Sequence, residues 1–267
     1  MPDSTRDRIV AGPAKKATGY GLVASLGSVG TILGEAIDEV ARVLGAVAGL
    51  IDFWNRAHAA PVPDYVAHAR KLWLSDIVPR DKMLAPVLLL DVKWFTQEAA
   101  ALTGNRAFTD LARTGFGAWT NSSTSVLVYP VFGAESQMRP VDTEIRKVLL
   151  RHEATHVLDF LRLGDRPPLS YHEMAVAETK AYTGTVADMD KIATAQPALG
   201  SEADFVATKA DFEFLQKWFA MRASWPATPE TERRIRQEMV DWKDRHGSTS
   251  PLLPASAGPD PLNLYLR

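Results

Sequence analysis

The chain has no cysteine. Disulfide staples, thiolate metal sites and cysteine nucleophiles are excluded together, while reducing and oxidising compartments both stay open. Charge of one sign is not in excess either: 30 Lys and Arg against 32 Asp and Glu give a formal net charge of −2 and a sequence pI near 6.3. The basic stripe that nucleic-acid binding needs is therefore not signalled. Long apolar runs are missing too. The most apolar stretch, residues 19–53, is interrupted by Glu35, Asp38, Glu39 and Arg42, and neither half reaches the roughly 18 to 20 residues of a simple membrane span. No Gly-rich phosphate loop follows a strand-like run, and no period of about 20 to 50 residues repeats, which removes solenoids from consideration.

What is present suffices for a core: 267 residues, 29.3 kDa, 46% hydrophobic, enough for one domain with appendages. Residues 1–60 read as a polar leader followed by a Gly/Ala-rich helical hairpin, in which Gly30 and Gly34, then Gly45 and Gly49, put small residues four apart. Such spacing permits close helix contact. The hairpin packs on the rest of the chain or a partner; the alternative is membrane contact through residues 19–53, which would suit a delivered bacterial toxin or effector. Lys15 and Lys16 precede the apolar run, but no signal-peptide cleavage pattern follows. A soluble chain is expected, cytoplasmic or exported by a non-classical route. Pro61 and Pro63 mark a boundary, residues 61–247 form the main domain, and residues 248–267, with four prolines, form an extended tail that docks in a groove, the substrate cleft included. Helices are expected over 64–77, 91–103, 107–113, 201–224 and 228–246, with Ser201 and Asp204 capping the fourth and Pro229 opening the fifth. Phe205, Phe212, Leu215, Trp218 and Phe219 make a stripe suited to a core.

Against this background one stretch carries chemistry: His152-Glu153-Ala154-Thr155-His156. Six histidines and thirteen glutamates would produce that pattern by chance in about one such chain in 150, so its surroundings decide its meaning. Residues 142–163 read as one helix, capped by Asp142 or Thr143 and stopped by Gly164, with Pro167 and Pro168 beyond. Ile145, Val148, Leu149, His152, His156, Phe160 and Leu163 share a face. Leu150, Val157, Leu158 and Leu161 make the opposite side apolar too, so the helix is central, with Lys147, Arg151 and Arg162 escaping at its edges. Two imidazoles one turn apart on a buried face can bind one metal ion, and the adjacent carboxylate can reach its water.

A catalytic zinc needs a third protein ligand. Glu173 and Glu178 compete. Ser170-Tyr171-His172-Glu173 is a capping box, which gives Glu173 a structural task. Glu178 is the lone charge on a face made by Tyr171, Met174, Ala175, Ala181, Tyr182 and Thr185. A carboxylate there needs a cation, either the metal or a core arginine.

Over residues 125–185 this pattern resembles the gluzincin branch of zinc metallopeptidases, in which a glutamate on a following helix completes the His-Glu-any-any-His site. No third histidine stands at the metzincin spacing. The resemblance implies an α+β, predominantly helical, zincin-like core with a small sheet beside the active-site helix, and one zinc ion held by His152, His156 and Glu178. Glu153 is then the general base, and Tyr182 donates a hydrogen bond to the oxyanion, with His172 a weaker choice. Asp159 is expected to orient an imidazole. Residues 122–130, with Val126, Leu127, Val128 and Tyr129, read as a strand that Pro130 closes at a sheet edge. Such an edge would accept an extended protein or peptide substrate. The rival expectation is a non-catalytic interaction or delivery protein with a structural metal.

Overall fold

The computed structural model describes residues 52–103, 118–164 and 170–246. The leader and hairpin up to residue 51, with the membrane alternative there, the helix over 107–113, Pro167 and Pro168, and the tail lie outside the described residues. Among the described residues no helix is long and apolar enough to cross a membrane.

The architecture is α+β and predominantly helical. Helix α1 (52–59) leads to α2 (Asp64–Leu72), which runs on as a π-turn, Trp73–Ile77. Strand β1 (Leu88–Asp91), helix α3 (Val92–Thr103) and strands β2 (Ala118–Ser122) and β3 (Ser125–Val128) follow. Then come the long helices α4 (Pro140–Leu163) and α5 (Tyr171–Ala195), the short α6 (Pro197–Gly200), and α7 (Ala203–Ala223) and α8 (Pro229–His246). The sheet order is β1-β3-β2, with β1 parallel and β2 antiparallel to β3.

The strand read as an edge is thus the central one. All four residues of β3 are buried, because the two-residue alternation of a strand here feeds two cores. Val126 and Val128 pack with Val66, Trp73, Leu150, Ala154 and Val157 of α2, the π-turn and α4. Leu127 and Tyr129 pack on the other face with Phe53, Ala57, Val92 and Phe95. Phe53 and Ala57 belong to α1, so the packed unit begins before the boundary read at Pro61. A third core joins α4 to α5 and α7 through Val141, Val148, Ala175, Met189, Phe205, Phe212, Leu215 and Phe219. The α7 stripe is core as expected, apart from Trp218, which is only partly buried there.

The helix ends also differ from their expected caps. Helix α4 starts at Pro140, and the Asp142 carboxylate reaches back to accept from the Arg139 N–H at 3.0 Å, making Arg139 the cap residue. Gly164 ends it with φ 62°, a left-handed conformation that costs glycine least. At α5, Ser170 Oγ accepts from the Glu173 N–H as expected, while the Tyr171 and His172 amides donate to Glu232 of α8 at 2.7 and 3.2 Å. Helix α7 is capped at Glu202 without a side-chain bond, since Ser201 Oγ donates to the Ala198 carbonyl and Asp204 pairs with Arg139.

Arg151 does not escape at an edge. Only 14% exposed, its guanidinium meets both Asp76 oxygens at 2.7 Å and Asp188 at 3.3 Å, tying the π-turn and α5 to α4. A bidentate pair removed from water is hard to break one-sidedly, because the surviving charge keeps its desolvation cost. Arg151→Ala, which leaves Asp76 and Asp188 only their weaker, more exposed partners Arg80 and Lys191, is expected to lower unfolding free energy by about 3 kcal/mol, read by denaturant titration, with Asp188→Asn costing clearly less.

Candidate metal centre

Helices α4 and α5 run antiparallel, as their facing pairs show: Arg151 with Asp188, His152 with Thr185, His156 with Glu178, and Asp159 with Lys180. The third core holds them together, and the polar pairs fix which turns meet. One helical turn separates the two histidines, so both imidazoles face the same stretch of α5.

There His152 Nε2 and His156 Nε2 lie 3.1 Å apart. Glu178 Oε2 is 3.3 Å from the first nitrogen, and Oε1 is 3.5 Å from the second. A tetrahedral ion with bonds of about 2.1 Å holds its ligand atoms about 3.4 Å apart, and the spacings here, taken through the two carboxylate oxygens, are of that size. A single proton can bridge only two of these four atoms; a cation can be shared by both imidazoles and the carboxylate. The side chains are 8%, 14% and 24% exposed, which leaves the carboxylate the most accessible of the set. This His152, His156 and Glu178 group could hold a metal ion. Of the two cations open to Glu178, the geometry brings the histidine site rather than an arginine.

The tautomer of His152 follows from its neighbours. Thr185 Oγ donates to the Ala181 carbonyl at 2.9 Å, so its oxygen is free to accept from His152 Nδ1–H at 3.1 Å. The Nε2 lone pair is thereby left for a metal. This orienting task was expected of Asp159, but Asp159 bonds to Lys180 and Arg162 and reaches His156 only through its charge. Thr185 stands two turns beyond Glu178 on the same face, and its hydroxyl among apolar neighbours was the available signal.

Tyr182 forms a wall of the site. Its ring lies 4.4 Å from the His152 ring and is stacked at 5.7 Å on Phe219. Burial, with the charges of Glu178 and Glu153, pushes its hydroxyl well above the ordinary tyrosine range, so it stays a donor. His172 is not gathered here; its Nε2 bonds to the Ala223 carbonyl at the end of α7. Glu153 is 7% exposed. Its Oε2 accepts from the Thr120 N–H at 2.6 Å and the Thr120 hydroxyl at 2.8 Å, contacts to β2 that sequence spacing did not suggest. Burial pushes its carboxyl above the usual range, against the pull of the two histidines and Thr120.

Without a metal the cluster is an ion pair. Burial alone would lower His156, but the Glu178 carboxylate overrides it and raises the imidazole to about 9. Burial would likewise raise Glu178, but His156 and His152 hold it well below the ordinary carboxylate range. Comparison with protein-family models, curated proteins and solved structures finds no match, so geometry and charge are what bear on function.

Two outcomes follow. The raised His156 stabilises the metal-free fold fully below its ordinary value of 6.5 and progressively less as pH climbs through 9; the depressed Glu178 stabilises it above 4.5 and less as pH falls. The metal-free melting temperature should therefore decline from pH 6.5 to 9, while the gain from added metal grows over the same window as the competing proton leaves His156. Thr185→Val should weaken metal affinity about tenfold or more in competition with a chromogenic chelator, with little change in fold.

Proposed function

We propose that this chain is a zinc-dependent hydrolase of peptide bonds, gluzincin-like in its site and zincin-like in its core, acting on a protein or peptide. The observation that carries the reading is the His152–His156–Glu178 group, with ligand atoms 3.1 to 3.5 Å apart, in which both histidines come from the helix that also presents Glu153. Two imidazoles and one carboxylate suit zinc better than the all-oxygen sets of calcium or magnesium. Support for the core comes from a small sheet whose edge strand β2 meets the metal helix through Thr120 and Glu153. Among the described residues β2 is the sheet edge that meets Glu153, so any pairing of an extended substrate with the sheet is assigned to β2 rather than to the central β3.

His152 Nε2, His156 Nε2 and one Glu178 oxygen would hold the ion. Zinc in such a set supplies Lewis acidity and lowers the pKa of its bound water towards neutrality. The Glu153 carboxylate takes the proton of the attacking water and returns it to the leaving amine. The Tyr182 hydroxyl, kept protonated by its surroundings, donates to the oxyanion. Stacking on Phe219 and contact with the His152 ring hold Tyr182 in place for that task. A bacterial toxin or effector with membrane contact through residues 19–53 fits the same reading.

A second reading has one observation in its favour. By joining β2 to α4, Glu153 does structural work that needs no catalysis, as a non-catalytic interaction or membrane-delivery protein with a structural metal would require. Glu153→Gln separates the two, because the amide oxygen still accepts from the Thr120 N–H but cannot take a proton. The zinc-loaded wild type should cleave a proteome-derived peptide library, with products identified by mass spectrometry. Glu153→Gln should keep its zinc and lose at least about a hundredfold in rate. Equal cleavage by the variant would overturn Glu153 as the general base, and no cleavage by the zinc-loaded wild type would overturn the hydrolase.

A further inference from the structure

We infer that Thr120 is the positioning residue for the general base, and that it assigns the two oxygens of Glu153 different tasks: Oε2 is anchored and Oε1 handles the proton. The inference rests on the hydrolase reading and adds a residue from outside the metal helices.

Thr120 is 2% exposed and lies on β2, the edge strand against α4. A valine would fill the same volume and suit the strand equally well. What the hydroxyl adds is contact with Glu153, at 2.8 Å to Oε2 and 2.9 Å to the backbone carbonyl. The Thr120 N–H, at 2.6 Å, is the second donor to the same oxygen. The N–H is aimed at Oε2 alone, and the hydroxyl, whose one proton is shared between Oε2 and the backbone carbonyl, lies against the same oxygen, so both contacts hold Oε2 in place. Among the described residues Oε1 accepts no hydrogen bond from the protein, which leaves it as the oxygen open to a water.

The local backbone supports this aim. Thr120 pairs with Val126 but Ser122 pairs with Ser125, so β2 carries an extra residue immediately after Thr120. A bulge of that kind bends an edge strand and re-aims its neighbours. A free glutamate rotates about three side-chain torsions, and a general base must stay within hydrogen-bond reach of the proton that it takes. Contacts from one strand residue, to the carboxylate and to the backbone that carries it, hold that reach without touching the substrate.

The test compares zinc-loaded full-length wild type, Thr120→Val, Thr120→Ser, Glu153→Gln and the Thr120→Val/Glu153→Gln double variant on the best-cleaved peptide of the library. Thr120→Val should keep its zinc and its KM while kcat falls about tenfold or more, less than the loss in Glu153→Gln. Thr120→Ser, which restores the hydroxyl, should recover most of the rate, and Thr120→Val should add nothing in the Glu153→Gln background. Unchanged kcat in Thr120→Val, with Glu153→Gln inactive, overturns the positioning role and leaves the hydrolase standing. Loss of zinc or fold in Thr120→Val that serine does not repair likewise overturns it, in favour of a purely structural contact. Wild-type inactivity on the whole library removes the hydrolase and the positioning role with it, and full activity of Glu153→Gln removes the general base and with it the positioning role.

Discussion

The register of α4 against α5 is the constraint on which the site depends. Apolar packing of Val148 and Val141 on Ala175, Met189 and Phe212 holds the helices together, but hydrophobic contact is non-directional and tolerates sliding. Direction comes from the polar ladder. Arg151 meets Asp188, the His152 ring meets Thr185, the two imidazoles meet Glu178, and Lys180 reaches Asp159. A slip of one turn, about 5.4 Å, would break every rung together. The candidate metal ligands are therefore one rung in a set that enforces itself.

The same helix serves a second partner on its other side. Leu150, Ala154 and Val157 of α4 enter the core beneath the sheet, while its metal face looks towards α5 and α7. Glu153 sits at the seam between these packings, which is why a residue adjacent to His152 can also take hydrogen bonds from β2. A helix buried on both sides has little freedom to rotate. Its imidazoles are aimed by the cores around it as much as by their own rotamers.

The histidines and Glu153 were legible because their chemistry is local: a fixed spacing on one helix is visible in five letters. Glu178 could be read because it is a lone charge on an apolar face and Ser170 already accounts for Glu173. Thr120 could not be found this way. It lies 33 residues from Glu153 in the chain, and an isolated threonine in a strand signals nothing. Strand β2 itself, Ala118-Trp119-Thr120-Asn121-Ser122, has one β-branched residue and exists by pairing with β3. The central place of β3 was missed for a related reason, since an apolar run closed by proline looks alike at an edge and beneath two helical layers. Arg151 was misplaced because its partners, Asp76 and Asp188, come from segments that only the fold brings near.

The distance along the chain between His152 and Glu178 has a mechanical meaning. An ion bound by both closes a loop of 178 − 152 = 26 residues, and closing a loop of that order removes about 3 kcal/mol of freedom from the unfolded chain. A protein with no cysteine cannot use a covalent bridge for this purpose. Coordination offers an equivalent staple that acid or a chelator can open and a thiol reductant cannot, so the fold would report metal supply rather than redox state.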